Sequence, residues 1–189
     1  MAMPSFPPHT EWTVERLHSL PDDGNRYEVI DGELFVTPAP SFVHQRAARE
    51  LVVRLLPYVE TLGGLELFFA PTAVTWSART EVQPDILVLP LPASGPITRF
   101  EEVGVPELAV EILSASSARA DRYRKRALYQ AQRVPEYWIV DSASRMVERW
   151  RPDDGEPDVL LGELVWQPRA GHEPLVVDLD AYFRAAHGW

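Results

Sequence analysis

Residues 26–37, RYEVIDGELFVT, contain the strongest local structural signal in the chain. Two β-prone runs, Arg26–Ile30 and Glu33–Thr37, flank Asp31-Gly32, a dipeptide that type I′ hairpin turns prefer because both central residues take a positive φ. We therefore predict a β-hairpin with this turn. The resulting register places Glu28 on an otherwise apolar face of the hairpin.

Apolar periodicity and turn residues predict the remaining elements. Helices are expected over residues 13–20, 41–62, 117–133 and 178–186, and Pro57 is expected to kink the second helix or end it early. Strands are expected over residues 65–69, 73–76, 85–89, 107–113, 136–140, 146–151, 164–167 and 175–177, with a loop over 90–96. This order of elements indicates an α/β fold with a mixed β-sheet flanked by helices, preceded by an N-terminal helix and hairpin.

Length and composition limit the classes of function. A length of 189 residues is that of a single domain, which we expect over 11–189, preceded by a loose leader over 1–10. A net charge of −10 excludes a histone-like coat on DNA, and the absence of cysteine excludes disulfide frameworks, zinc ribbons and thiol nucleophiles. No apolar run approaches membrane-spanning length and no signal-peptide profile begins the chain, so we expect a cytoplasmic protein without membrane contact.

Two carboxylates fall in strands that are predicted to be buried. Asp85 begins one apolar strand, and Glu111 lies inside the next with apolar neighbours on both sides. Carboxylates in such positions need a partner or a bound cation. If the strands are neighbours, both side chains can point at one spot, and carboxylates without His or Cys favour Mg²⁺ or Mn²⁺ over Zn²⁺. The alternative is that each residue forms an ordinary salt bridge.

The helix that follows Glu111 carries the single lysine among 18 basic residues, Lys125. Asp121, Lys125 and Tyr129 are spaced four residues apart and form one stripe, which could deliver Lys125 to the same spot. Segment 119–133 holds six basic residues, including Arg122, against one acid, so it is the only concentrated positive patch. A patch of this kind either contacts nucleic acid or is a solvated helix face.

An ordered set of five segments resembles the Uma-type family of putative restriction endonucleases, which belongs to the PD-(D/E)XK nuclease superfamily. The resemblance extends over about residues 12 to 185. Its segments are RYEVIDGEL (26–34), QPDI (83–86), PELAVEILS (106–114), the stripe of Asp121, Lys125 and Tyr129, and VPEYWIVD (134–141).

The resemblance implies a catalytic set of Glu28, Asp85, Glu111 and Lys125. Asp85 and Glu111 would be the motif acids and Glu28 a supporting acid. The superfamily pattern expects a lysine two residues after Glu111, where this chain has Leu113. Lys125 matches a lysine displaced to the following helix.

The function expected from this set is Mg²⁺- or Mn²⁺-dependent hydrolysis of DNA phosphodiesters. Asp85, Glu111 and the carbonyl of Ile112 would hold the metal ion. Candidate substrate contacts are His44, Arg122, Tyr129 and Gln132. A homodimer would match the pseudo-symmetry of duplex DNA. The alternatives are a catalytically silent module that binds nucleic acid or a protein, and a hydrolase of small phosphoesters.

Overall fold

The computed structural model describes residues 11–92 and 104–188. The predicted leader over residues 1–10 and most of the predicted loop over 90–96 lie outside the described residues. Within the described part of the chain, no helix is both long and apolar enough to cross a lipid bilayer.

The predicted hairpin is confirmed in its bounds and its register. Strands β1 (Arg26–Ile30) and β2 (Glu33–Thr37) pair antiparallel, with Glu28 opposite Phe35. Asp31 and Gly32 have φ values of 52° and 81°, as a type I′ turn requires. Among the described residues, the hairpin belongs to a four-stranded sheet that also contains β4 (Val74–Ser77) and β5 (Thr80–Val82), in the order β2-β1-β5-β4.

A second sheet forms the centre of the fold. Its strands in the described residues are β3 (Leu65–Phe69), β6 (Ile86–Pro90), β7 (Leu108–Ile112), β8 (Glu136–Asp141), β9 (Met146–Trp150) and β10 (Asp158–Leu160). Their order is β10-β9-β8-β7-β6-β3, with β7 and β8 parallel and the other pairs antiparallel. The predicted mixed-sheet α/β class is therefore confirmed. A separate hairpin consists of β11 (Glu163–Trp166) and β12 (Leu175–Asp178).

Helices pack on the faces of the central sheet. The described helices are α1 (Val14–Leu17), α2 (Phe42–Leu62), a π-helical segment (Ala120–Lys125) that continues into α3 (Arg126–Ala131), and α4 (Leu179–His187). Helices α2 and α4 share one apolar core with one face of the sheet, and residues of α3 share the other. Strand β7 contributes alternate residues to the two cores, so Glu111 points away from the α2 core and toward α3.

Several predicted elements differ from the structure. The first helix is only Val14–Leu17, and the strands β5 and β10 were not predicted because three-residue runs show no periodicity. The expectation that Pro57 ends α2 early is wrong, because the helix continues to Leu62. Beyond Pro57 the helix still buries Val59 and Leu62, and this packing compensates for the hydrogen bond that proline removes.

Helix α2 offers a direct test of this core. Leu55 is completely buried, whereas Val53 on the same helix is 60% exposed. Leu55→Ala should lower the free energy of unfolding by about 2 to 5 kcal/mol, because it removes buried methyl groups and leaves a cavity. Val53→Ala should change it by less than about 0.5 kcal/mol. Urea unfolding of both variants measures the difference, and equal losses would contradict this packing.

Candidate functional site

The two predicted carboxylates come together because their strands are neighbours. Asp85 immediately precedes β6, which pairs with β7, and its backbone N–H donates to the carbonyl of Val110 at 3.0 Å. The side chain crosses to the end of β7, where Asp85 Oδ2 accepts a hydrogen bond from the N–H of Ile112 at 2.8 Å. Asp85 and Glu111 are both buried. The condition for a shared position, that these two strands are neighbours, is therefore met.

Lys125 lies among three carboxylates that come from three different elements. Its Nζ is 2.8 Å from Glu28 Oε1 on β1, 2.9 Å from Glu111 Oε1 on β7, and 3.5 Å from Asp121 Oδ1 on its own helix. The lysine side chain is only 1% exposed. The predicted stripe of Asp121, Lys125 and Tyr129 does face this spot, since the Tyr129 hydroxyl donates to Glu111 Oε1 at 3.3 Å. We call Glu28, Glu111, Asp121 and Lys125 the lysine cluster.

Burial and charge act in opposite directions in the lysine cluster. Burial alone would lower the pKa of Lys125, but the charges of Glu111, Glu28 and Asp121 outweigh it and raise the pKa well above its ordinary value. Burial raises the pKa of Glu111 well above its usual range, although Lys125 opposes this. Burial likewise raises the pKa of Asp121. The lysine is therefore a fixed positive charge, and these two carboxyls are the groups that tend to take up protons.

Asp85, by contrast, is held in its ionised form. Burial alone would raise its pKa, but a hydrogen bond with His44 and the charge of Arg26 overcome this and lower the pKa to about 2. Arg26 Nη1 lies 2.8 Å from Asp85 Oδ1, and His44 Nε2 lies 3.1 Å from Asp85 Oδ2. Sequence reasoning missed Arg26. The sequence could have indicated Arg26, because it lies two residues from Glu28 on β1 and the side chains of both residues therefore share one face of the strand.

One oxygen atom of the lysine cluster stands out as unsatisfied. Glu111 Oε2 is buried without a hydrogen-bond partner in the described part of the protein, whereas Asp121 Oδ1 at least has the charge of Lys125 Nζ 3.5 Å away. Four carboxylates, counting Asp85, face only two strongly basic side chains, Lys125 and Arg26. This leaves an excess of negative charge, an arrangement that a further cation would relieve.

The residues fit a hard divalent cation in their chemistry, because carboxylate oxygens are its preferred ligands and Glu111 Oε2 has no other partner. However, among the described residues no group of three or more His, Cys, Asp or Glu is arranged around a ready metal position. Both oxygens of Asp85 are already contacted by Arg26, His44 and the Ile112 N–H.

A cavity of about 880 Å³ opens onto Asp85. Its walls come from the segment after β2, the first half of α2, the turn between β3 and β4, and the loop after β7. Arg26, His44 and Asp85 line it, whereas Glu28, Glu111 and Lys125 are not among the lining residues. Substrate can therefore reach the site from the Asp85 side.

The predicted substrate contacts occupy different environments. His44 lines the cavity, and its Nδ1 has no hydrogen-bond partner among the described residues. Tyr129 is completely buried in the core, so a polymeric substrate has no access to it. Arg122 is paired with Asp141 and Glu148 at 3.0 and 2.7 Å. Gln132 is partly buried at the C-cap of α3, away from the cavity lining. Of these four residues, only His44 is among the described residues that line the cavity.

The positive segment 119–133 is largely neutralised in the fold. Arg124 pairs with Glu33 on the hairpin, and Arg133 pairs with Asp153 at 2.5 Å. Arg126 lies over the ring of Trp150 and bonds Gln130. The ion pairs of Arg122, Arg124 and Arg133 were not predicted, and they favour the solvated helix face considered for this segment over a free basic patch.

The lysine cluster makes a prediction about stability. Lys125→Met leaves buried carboxylates without their cation and should lower the free energy of unfolding by about 3 to 5 kcal/mol near neutral pH. Because burial raises the pKa of Glu111, this carboxyl is protonated at a higher pH in the folded chain than in the unfolded one, so the loss should be smaller at about pH 5 than at about pH 8.

Arg124→Met is the matched control for this variant. It breaks an exposed ion pair one residue away and should cost less than about 1 kcal/mol at either pH. Chemical denaturation at both pH values provides the measurement. Equal losses for the two variants, or a larger Lys125→Met loss at the lower pH, would contradict this description of the cluster.

Comparison with known proteins agrees with the fold. A family model, Uma2, described as "Putative restriction endonuclease", matches residues 14–174. The chain is also similar to a crystal structure described as a putative nuclease belonging to DUF820 from Anabaena variabilis ATCC 29413, with 18% identity and a TM-score of 0.75. That match covers 93% of this chain and 99% of the other, and at this identity it concerns the fold. No curated protein matches.

The family model spans most of the chain, including the hairpin, both motif acids and the helix that carries Lys125. This chain therefore belongs to the Uma2 family of putative restriction endonucleases.

Proposed function

We propose that this protein is a divalent-metal-dependent endonuclease that hydrolyses phosphodiester bonds of DNA. The observation that supports the proposal most strongly is the convergence of Asp85, Glu111 and Lys125 beside a cavity. Membership of the family adds support, because an intact set of acids and lysine is what a nuclease of this family needs.

Asp85, Glu111 and the carbonyl of Ile112 are the groups that would hold Mg²⁺ or Mn²⁺. When bound, such an ion polarises the scissile phosphate and lowers the pKa of a water molecule. Asp85 suits the role of a constant ligand, because its pKa of about 2 keeps it ionised across the physiological range. Glu111 offers Oε2, which is free of other hydrogen bonds.

Lys125 would stabilise the negative charge that develops on the phosphoryl oxygens. The carboxylates around it raise its pKa well above the ordinary lysine value, so it stays protonated and does not serve as the proton acceptor. Glu28 acts through Lys125, which it holds at 2.8 Å, while its own Oε1 also accepts the N–H of Gln83 at 2.7 Å. Glu28 is thus a positioning residue.

The proposal includes a homodimer, which would place two sites related by a twofold axis on one DNA substrate. A strictly monomeric mass in solution at micromolar concentration would remove this part of the proposal without affecting the site itself.

Cleavage assays test the catalytic assignment. Supercoiled plasmid and single-stranded DNA are incubated with the protein and Mg²⁺ or Mn²⁺. Asp85→Asn should reduce the cleavage rate by roughly a hundredfold or more, because it removes a charged ligand of nearly the same shape. Lys125→Arg should do the same, because a planar guanidinium does not fit among three buried carboxylates spaced for an ammonium group.

Asp180→Asn, an exposed carboxylate on α4, is the control for these variants and should cleave like the unmodified protein. The nuclease assignment fails if neither DNA is cut under any of these conditions. It also fails if Asp85→Asn and Lys125→Arg cut as fast as the control.

Arg26 and a divalent cation should compete for Asp85, since Arg26 already contacts Asp85 Oδ1. A hydrogen bond between charged groups is worth about 1.5 to 3 kcal/mol. Arg26→Met should therefore bind Mn²⁺ roughly tenfold more tightly in calorimetric titrations without DNA. Arg133→Met, which breaks an exposed ion pair, should stay within about twofold of the unmodified protein. Unchanged or weaker Mn²⁺ binding by Arg26→Met would refute the competition.

A further inference from the structure

We infer that the cavity beside Asp85 accepts a single-stranded segment of DNA and does not accept an intact duplex. The inference rests on the proposed nuclease function and specifies its substrate. It follows from three features of the described residues, namely the depth of the acidic groups, the chemistry of the cavity walls and the distribution of positive charge.

Depth is the first feature. Asp85 is 4% exposed, and Glu111 and Lys125 are each 1% exposed. A scissile phosphate must therefore descend into the cavity to meet Asp85. A single strand can bend its backbone into a recess of this kind, whereas a duplex is stiff over so short a length and bends only at a cost in deformation energy. A volume of about 880 Å³ is that of a pocket for small ligands, and it accommodates a short flexible segment of one strand.

The wall chemistry is the second feature. The lining is mostly apolar and includes Pro38, Pro40, Val52 and Pro71. Phe69, at the end of β3, also lines the cavity and is 60% exposed. Unpaired bases bind to surfaces of this kind through their flat faces, and an exposed aromatic ring is the usual stacking partner. A duplex presents phosphates to a protein surface and keeps its base faces stacked inside, so it gains nothing from such walls.

Positive charge is the third feature. Two arginines line the cavity: Arg26, which pairs with Asp85 at 2.8 Å, and Arg49, which pairs with Glu50 at 2.7 Å and whose side chain is 64% exposed. Three arginines of segment 119–133, Arg122, Arg124 and Arg133, are ion-paired outside the cavity, and the net charge is −10. Tight duplex binding commonly uses about six to ten phosphate contacts. The two arginines in the described lining are fewer than that number and match the few phosphates of a strand inside the cavity.

Fluorescence anisotropy tests the inference with a labelled 20-nucleotide DNA strand, alone and annealed to its complement. Ca²⁺ replaces Mg²⁺, and gel electrophoresis verifies that the strands remain uncut. The full chain should bind the single strand at least about tenfold more tightly than the duplex. Two phosphate contacts predict a slope of log affinity against log salt of about −1.4 for the single strand.

Phe69→Ala should weaken single-strand binding about fivefold or more, since stacking of one base is worth about 1 to 3 kcal/mol. Tyr123→Ala is the matched control. Tyr123 is an aromatic residue of similar exposure, 64%, on the arginine-rich segment and outside the cavity lining. It should bind within about twofold of the unmodified protein.

The inference is overturned if the duplex binds as tightly as the single strand, or if Phe69→Ala binds no worse than Tyr123→Ala. A salt slope steeper than about −5 would also overturn it, because that slope means many phosphate contacts. These outcomes are independent of cleavage. If the protein cuts DNA but fails the binding tests, the proposed function stands and this inference is wrong. If it passes the binding tests but cuts nothing, the single-strand preference stands and the proposed nuclease function is wrong.

Discussion

The buried contact of Lys125 with Glu28, Glu111 and Asp121 is the interaction on which the site depends. It connects the hairpin sheet, the central sheet and the helix that follows β7, all through one ammonium group that is 1% exposed. Burying three ionised carboxylates this close together would cost several kcal/mol each in desolvation, and the ammonium group of Lys125 offsets part of that cost. The lysine therefore ties the two sheets and the helix to one another at the place where Glu111 lies.

The helix geometry at Lys125 is part of the same constraint. Asp121 and Lys125 lie in a π-helical segment, Ala120–Lys125, within a helix that is otherwise α-helical. Such segments are rare and occur often at functional sites. The segment holds Asp121 and Lys125 on the side that faces Glu111, and the Tyr137 hydroxyl donates to the carbonyl of Asp121 at 3.1 Å. Core packing on β8 thus supports the placement of charged groups in the site.

The two motif acids are held in different electrostatic environments. Arg26 and His44 keep Asp85 ionised, whereas burial pushes Glu111 toward its protonated form. Neighbouring carboxyls whose pKa values are moved apart have separate chemical roles. Asp85 lines the cavity as an ionised carboxylate, whereas Glu111 is buried against Lys125.

Local sequence patterns predicted the parts of this arrangement that depend on neighbouring residues. Asp31-Gly32 fixed the hairpin register, and the apolar strands around Asp85 and Glu111 placed both acids at adjacent strands. Partners that come from distant elements were not predictable. Arg26 reaches Asp85 across 59 residues, and Glu33 pairs with Arg124 across 91, which removed the free positive patch that composition alone had indicated. The π-helical segment was not predicted, because residues spaced four apart are also neighbours on the surface of an ordinary α-helix.

We propose that Asp85 and Glu111 form a divalent-cation site next to Lys125. Anomalous scattering from crystals soaked in Mn²⁺ tests this site, since the ion is located without reference to activity. We expect a single strong peak in contact with carboxyl oxygens of both Asp85 and Glu111, with Arg26 displaced from Asp85. Absence of a peak at these residues at saturating Mn²⁺, or a peak that contacts neither carboxylate, would contradict it.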